Sequence, residues 1–225
     1  DKAVKACGDF WRTYMTSHPL PAHELENVIR FILENNTFEF NECFFRQIKG
    51  ISMGSPASVA IANVFAAVFF KEALAAAHEK GFKPKFLRRF IDDSFGLWDT
   101  SPGNPPLDEF VGFLNDFSRK GDWGLEFELA ASGRDSVPFL DVEIYADAKG
   151  VFQTRMYSKP TDTHAYLLPS SCHPPHTHKG IPYGVALRIR RNCSAPADFR
   201  EAMKKFEHHL VRRGYDPQFV ASQFQ

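Results

Sequence analysis

Apolar positions recur at helical spacing in several stretches of the chain. Over 22–35, Leu25, Val28, Ile29, Ile32 and Leu33 share one face before Asn35-Asn36 stops the run. Over 105–120 the face is Leu107, Phe110, Val111, Leu114 and Phe117, and over 196–213 it is Phe199, Met203, Phe206 and Leu210. A longer helix is predicted from Ser55-Pro56 to Lys80, with Ser55 as cap, Pro56 in the first turn and Gly81 as stop. It is nearly uncharged from Ala57 to Phe70, which predicts deep burial. Residues 2–16 read as a weaker helix and 182–192 as a further one.

Between the helices the pattern shortens to that of strands. Thr37 to Phe45 alternates around Phe38 and Phe40, and strands are also predicted at 125–130, 138–145 and 151–157. Phe86–Ile91 and Ser94–Trp98 are apolar runs separated only by Asp92-Asp93, which predicts a tight hairpin. The fold class is therefore α+β. Pro, Ser and His cluster over 158–181, which reads as a connecting loop between 1–157 and a helical 182–225.

Composition changes the picture in one respect. The 225 residues carry 27 basic and 27 acidic side chains, and 44% of them are hydrophobic, so a disordered chain is excluded. The zero net charge conceals an asymmetry: residues 1–150 hold 16 basic and 22 acidic side chains, residues 151–225 hold 11 and 5. A polyanion partner is expected for the second part. The 23 Phe predict an aromatic core. Four scattered cysteines make neither a disulfide framework nor a zinc ribbon, and the Cys172, His173, His176, His178 and Cys193 group has no standard zinc spacing. No run of 18 apolar residues occurs, so no membrane partner is expected.

Two segments carry chemistry. Phe90-Ile91-Asp92-Asp93 places adjacent carboxylates on an apolar hairpin, where a cation such as Mg²⁺ would offset their repulsion and desolvation. Gln47-Ile48-Lys49-Gly50-Ile51-Ser52-Met53-Gly54-Ser55-Pro56 is a glycine-bearing loop running into a helix, a place where backbone approaches a ligand closely and anions are favoured.

In this order, Q-x-x-G-x-x-M-G-S-P, a long helix and F-x-D-D, the segments resemble motifs B and C of reverse transcriptases. Val137-Pro138-Phe139-Leu140-Asp141-Val142, Tyr157-Ser158-Lys159-Pro160-Thr161-Asp162-Thr163-His164, His173-Pro174-Pro175-His176 and Leu187-Arg188-Ile189-Arg190-Arg191 resemble the following segments of Penelope-like retroelements. The resemblance covers about residues 20–215. It implies a right-hand polymerase, with partial fingers and palm (motifs B to E) at 1–157 and a basic helical thumb, truncated, at 182–225. The implied activity is template-directed DNA synthesis on RNA with two Mg²⁺ ions (Mn²⁺ as an alternative), dNTP, an RNA template and a DNA primer, in an intracellular, nuclear protein.

By position, Asp92 and Asp93 are the implied catalytic and metal-binding carboxylates. Gln47, Gly54, Ser55, Pro56 and Phe90 fall on the nucleotide and template pocket, and Lys159, Arg188, Arg190 and Arg191 on the nucleic-acid surface. The family's motif A aspartate, expected upstream with an L-Y-T-x-I-P-like stretch, has no counterpart; Asp1, Asp9 and Glu39 are poor substitutes. The chain is thus expected to be a piece of a polymerase, inactive when isolated. The alternative is a non-catalytic nucleic-acid-binding relic or co-opted domain; intact Asp92-Asp93 favours the enzyme.

Overall fold

The computed structural model describes residues 1–223. The chain divides into two compact units, Asp1–Leu129 and Ala130–Gln225. Helices alternate with short antiparallel hairpins throughout, and among the described residues no sheet closes into a barrel.

The first unit starts with helices α1 (Lys2–Tyr14) and α2 (Ala22–Glu34). A hairpin follows, β1 (Thr37–Phe40) against β2 (Cys43–Arg46), with Phe38 opposite Phe45. Its turn residues Asn41 and Glu42 both have positive φ, the conformation that matches strand twist in two-residue hairpins. Helix α3 (Ser58–Glu79) leads to the hairpin of β3 (Phe86–Phe90) and β4 (Asp93–Leu97), and helix α4 (Leu107–Lys120) completes the regular elements.

Two small cores hold this unit. Phe69, Ala73 and Ala77 of α3 meet Phe82, Phe110, Leu114 and Trp123. Phe69 is fully buried among the rings of Phe70, Phe117, Trp123 and Phe127, so aromatic edges and faces carry the packing. Val4 and Cys7 of α1, Ile29 of α2 and Ile61 of α3 form the second core. Helix α3 is also long and apolar enough to cross a membrane.

Several expectations shift here. Helix α3 begins at Ser58 instead of Ser55: residues 53–54 and 56–57 are turns, and Ser58 Oγ donates to the Ser52 carbonyl at 2.5 Å. Only Ile61, Phe69, Ala73 and Ala77 of α3 are buried, while Val59 is open to solvent. No strand forms at 125–130. Its polar backbone groups are satisfied by α4 side chains instead: Leu125 N–H donates to Ser118 Oγ, and Phe127 exchanges two bonds with the Asn115 amide. The phenylalanines are only partly core, since Phe38, Phe40, Phe44 and Phe45 all stand exposed on the β1–β2 hairpin.

The second unit holds a three-stranded antiparallel sheet, β5 (Ser136–Phe139), β6 (Val142–Ala146) and β7 (Phe152–Met156). The strand predicted at 138–145 is broken by a turn at Leu140-Asp141. Helices α5 (Pro175–Asn192), α6 (Pro196–Arg212) and α7 (Pro217–Ser222) follow. Helix α5 starts within the stretch read as loop, because Pro174-Pro175 opens it with Pro175 in the first turn; Pro182, the expected start, lies inside it and is buried. Ile189, Cys193, Phe206, Leu210, Tyr215 and Val220 form the core that ties the three helices together.

Candidate nucleic-acid interface

In the first unit, the loop from Gln47 to Pro56 is shaped by two glycines. Gly50 and Gly54 have φ of +83° and +100°, and Gly54 would meet no atom within 4 Å of an added Cβ. Its requirement is conformational, since an L side chain resists that backbone however much room it has. Gln47 Nε2 donates to the Lys49 carbonyl at 2.9 Å, folding the start of the loop on itself. Ser55 is half-buried, and Gly54 and Pro56 are exposed.

The second motif sits on the β3–β4 hairpin. Phe90 pairs with Asp93, so the two-residue turn is Ile91-Asp92, and Asp93 is the first residue of β4. Ile91 has φ of +52°. A β-branched residue in the left-handed region is strained by ~1–3 kcal/mol. That strain lies directly beside the paired carboxylates. Asp92 and Asp93 are exposed, and Phe90 is 55% exposed at the base of the turn.

One side chain ties the two motifs together. Arg89 of β3 donates from Nη1 to Asn63 Oδ1 at 3.0 Å and to the Ile91 carbonyl at 2.6 Å. From Nη2 it donates to the Asn63 carbonyl at 3.0 Å. Asn63 lies on α3, the helix that the glycine loop enters, so one guanidinium fixes the carboxylate-bearing turn to that helix. All three acceptors are neutral. The sequence analysis gave neither Arg89 nor Asn63 a role; the available signal was that Asn63 is the one polar side chain between Val59 and Phe70 of α3.

Adjacent carboxylates offer the hard oxygen donors that Mg²⁺ takes, so Asp92 and Asp93 fit the ion in kind and would supply part of a coordination shell. No group of three or more His, Cys, Asp or Glu placed to hold a metal ion occurs among the described residues.

The second unit repeats the turn. Phe139 pairs with Val142 around Leu140-Asp141, and Leu140 has φ of +54°. Here the aspartate is engaged, since Arg188 of α5 pairs with Asp141 at 2.7 Å. Lys159 is exposed on the following loop. Arg190 lies over the Phe199 ring at 5.8 Å, and Arg191 is exposed.

A cavity of about 620 Å³ opens between β7, the 157–166 loop, α5 and α6. Its charges are largely matched within it: Arg155 pairs with Glu143 at 2.7 Å and Lys205 with Glu201 at 2.6 Å. The rings of His164 and His209 stack at 3.9 Å on its wall. Burial, then the neighbouring His164, His208 and Arg212, hold the His209 imidazole below its ordinary range.

Two short connections set the helices of this unit. Residues 193–195 join α5 to α6, and residues 213–216 join α6 to α7, with Gly214 at φ +89° ending α6. Asp216 caps α7 by accepting from Phe219 N–H at 2.8 Å. Residues 165–225 match the animal helix-turn-helix domain. No curated protein and no solved structure matches the chain. The family match thus covers the three-helix segment and leaves the Asp92-Asp93 hairpin outside it.

Proposed function

We propose that the chain is a palm and thumb portion of a reverse transcriptase, with a right-hand polymerase fold, that synthesises DNA on an RNA template. The observation that carries the reading is the Arg89 bridge, which ties the F-x-D-D turn to the helix entered by the Q-x-x-G-x-x-M-G-S-P loop. In a polymerase these are the parts that hold the metal and the incoming nucleotide. Asp92 and Asp93 would hold Mg²⁺, and the Gln47–Pro56 loop and Phe90 would line the nucleotide and template pocket. The ion held there would supply the positive charge that offsets the two carboxylates and Lewis-acid assistance to phosphoryl transfer. Lys159, Arg190 and Arg191 contact the phosphate backbone of the template–primer duplex, without sequence preference.

Primer extension on an RNA template with Mg²⁺, by the full-length polypeptide, tests this. Extension is lost on Asp92→Asn; activity that persists in that variant refutes the site.

The similarity of 165–225 to a helix-turn-helix domain favours a second reading, in which the chain binds duplex DNA and does not polymerise. Salt-sensitive duplex binding without any Asp92-dependent extension is its expected signature.

A further inference from the structure

The hairpin that carries Asp92 and Asp93 bends in a costly way. Of its two turn residues only the first, Ile91, has positive φ, the pattern of a type II′ turn, whose first position ordinarily takes glycine. A β-branched isoleucine resists that backbone, so the conformation persists only where the surroundings impose it. Arg89 supplies that restraint. Its Nη1 donates to the Ile91 carbonyl at 2.6 Å, and the same guanidinium is seated on α3 by the side-chain oxygen and the carbonyl of Asn63, each at 3.0 Å.

Three observations give this contact a role beyond joining two elements. The bond falls on the carbonyl of the strained residue itself, one position before Asp92. A guanidinium is planar with its donors in a fixed fork, so seating it on Asn63 also sets where the Ile91 carbonyl lies. All three acceptors are neutral, so Arg89 restrains the turn without spending a carboxylate. The adjacent Arg88 is no substitute: it donates to the Leu87 carbonyl and lies over the Phe86 ring at 4.7 Å, at the far end of β3.

We propose that Arg89 is a positioning residue for the carboxylate turn: it holds Ile91 in the left-handed conformation that aims Asp92 and Asp93, and so sets their affinity for a divalent cation. This rests on the reading of the two aspartates as cation ligands and adds the residue that orients them. Arg89 acts through the Ile91 carbonyl and not by touching the ion. Charge and geometry predict opposite signs for its removal. A guanidinium close to the carboxylates repels a divalent cation, so on charge alone its loss tightens binding. Loss of a group that orients the ligands weakens binding.

Two readouts on the whole chain test the assignment. Mn²⁺ binding is followed by the loss of the free-ion electron paramagnetic resonance signal, counted as the part that Asp92→Asn abolishes. The second readout needs no metal: positive φ brings Hα close to its own amide proton, so residue 91 gives a strong intraresidue nuclear Overhauser effect. Arg89→Met weakens Mn²⁺ binding about tenfold, the low end of the cost of losing a group that orients metal ligands, and removes that effect. Ile91→Gly added to Arg89→Met restores binding, because glycine takes positive φ without the guanidinium. Asn63→Ala keeps the Ile91 bond and gives a smaller loss, and it stands in for Arg89→Met should that variant not fold. Circular dichroism and tryptophan fluorescence verify that each variant is folded.

The outcomes separate two failures. A wild-type chain with no Asp92-dependent Mn²⁺ binding removes the metal reading and this inference with it. A wild-type chain that binds, while folded Arg89→Met (or Asn63→Ala in its place) leaves the affinity unchanged or raises it, overturns the assignment and leaves the metal reading standing. Persistence of the residue 91 effect in Arg89→Met, or failure of Ile91→Gly to restore binding, overturns the turn as the route by which Arg89 acts.

Discussion

The bridge from β3 to α3 predicts a coupling energy that can be measured. Arg89 makes three hydrogen bonds, two to Asn63 and one to the Ile91 carbonyl. At ~1 kcal/mol for each bond, and less for the solvent-open one at the turn, Arg89→Met costs roughly 2–3 kcal/mol. Asn63→Ala removes only the Oδ1 bond, because the backbone carbonyl remains, and Ala regains up to ~0.7 kcal/mol of helix propensity. Its net cost is therefore ~0.5 kcal/mol or less. The double variant should fall short of the sum by ~1 kcal/mol, the single bond that both replacements remove. All three tryptophans, Trp11, Trp98 and Trp123, lie in the first unit, so denaturant unfolding followed by tryptophan fluorescence reports that unit selectively. Additivity within ~0.3–0.5 kcal/mol would refute the bridge as an energetic link.

Other outcomes follow from single residues. Phe69→Ala opens a hole among four aromatic rings and should destabilise the first unit by ~3–5 kcal/mol in the same fluorescence assay. Gly54→Ala should destabilise by ~1–3 kcal/mol through backbone strain alone. Gly112→Ala, in an open position on α4, should stabilise by up to ~1 kcal/mol in that assay, and a like sign for both would remove the strain argument. The His209 imidazole titrates below its ordinary 6.5 when folded, so its protonation opposes folding. Hydrogen-exchange protection of α6 should be full above pH 6.5 and fall as the pH drops toward the folded-state value, and His209→Gln should flatten that fall.

Helical spacing located the amphipathic helices closely, and it failed where the deciding interaction was not periodic. The run predicted for 22–35 forms at Ala22–Glu34, and that for 196–213 at Pro196–Arg212. In both, one apolar face against a neighbour is enough to set register. Leu125, Phe127 and Leu129 alternate as a strand would, yet Ser118 and Asn115 occupy the backbone bonds of Leu125 and Phe127, and no local pattern announces a side chain that does this. The turns at Ile91 and Leu140 were illegible for a related reason: aliphatic residues rarely take positive φ, so only the surrounding hairpin imposes it. The hairpin expected around Asp92-Asp93 forms, with its turn one residue earlier, at Ile91-Asp92. Arg89 and Asn63 are far apart in sequence, and their bond became visible only with the helix and hairpin side by side.

The two aspartate turns share their stereochemistry and differ in what faces them. Phe90-Ile91-Asp92-Asp93 and Phe139-Leu140-Asp141-Val142 bend alike, but Arg188 neutralises Asp141 while the Ile91-Asp92 tip stands in solvent. The chain therefore contains its own reference. A reagent or ion that recognises the bend alone will treat both tips equally, and one that needs an unspent carboxylate will tell them apart. A single guanidinium is what distinguishes the two copies of the turn.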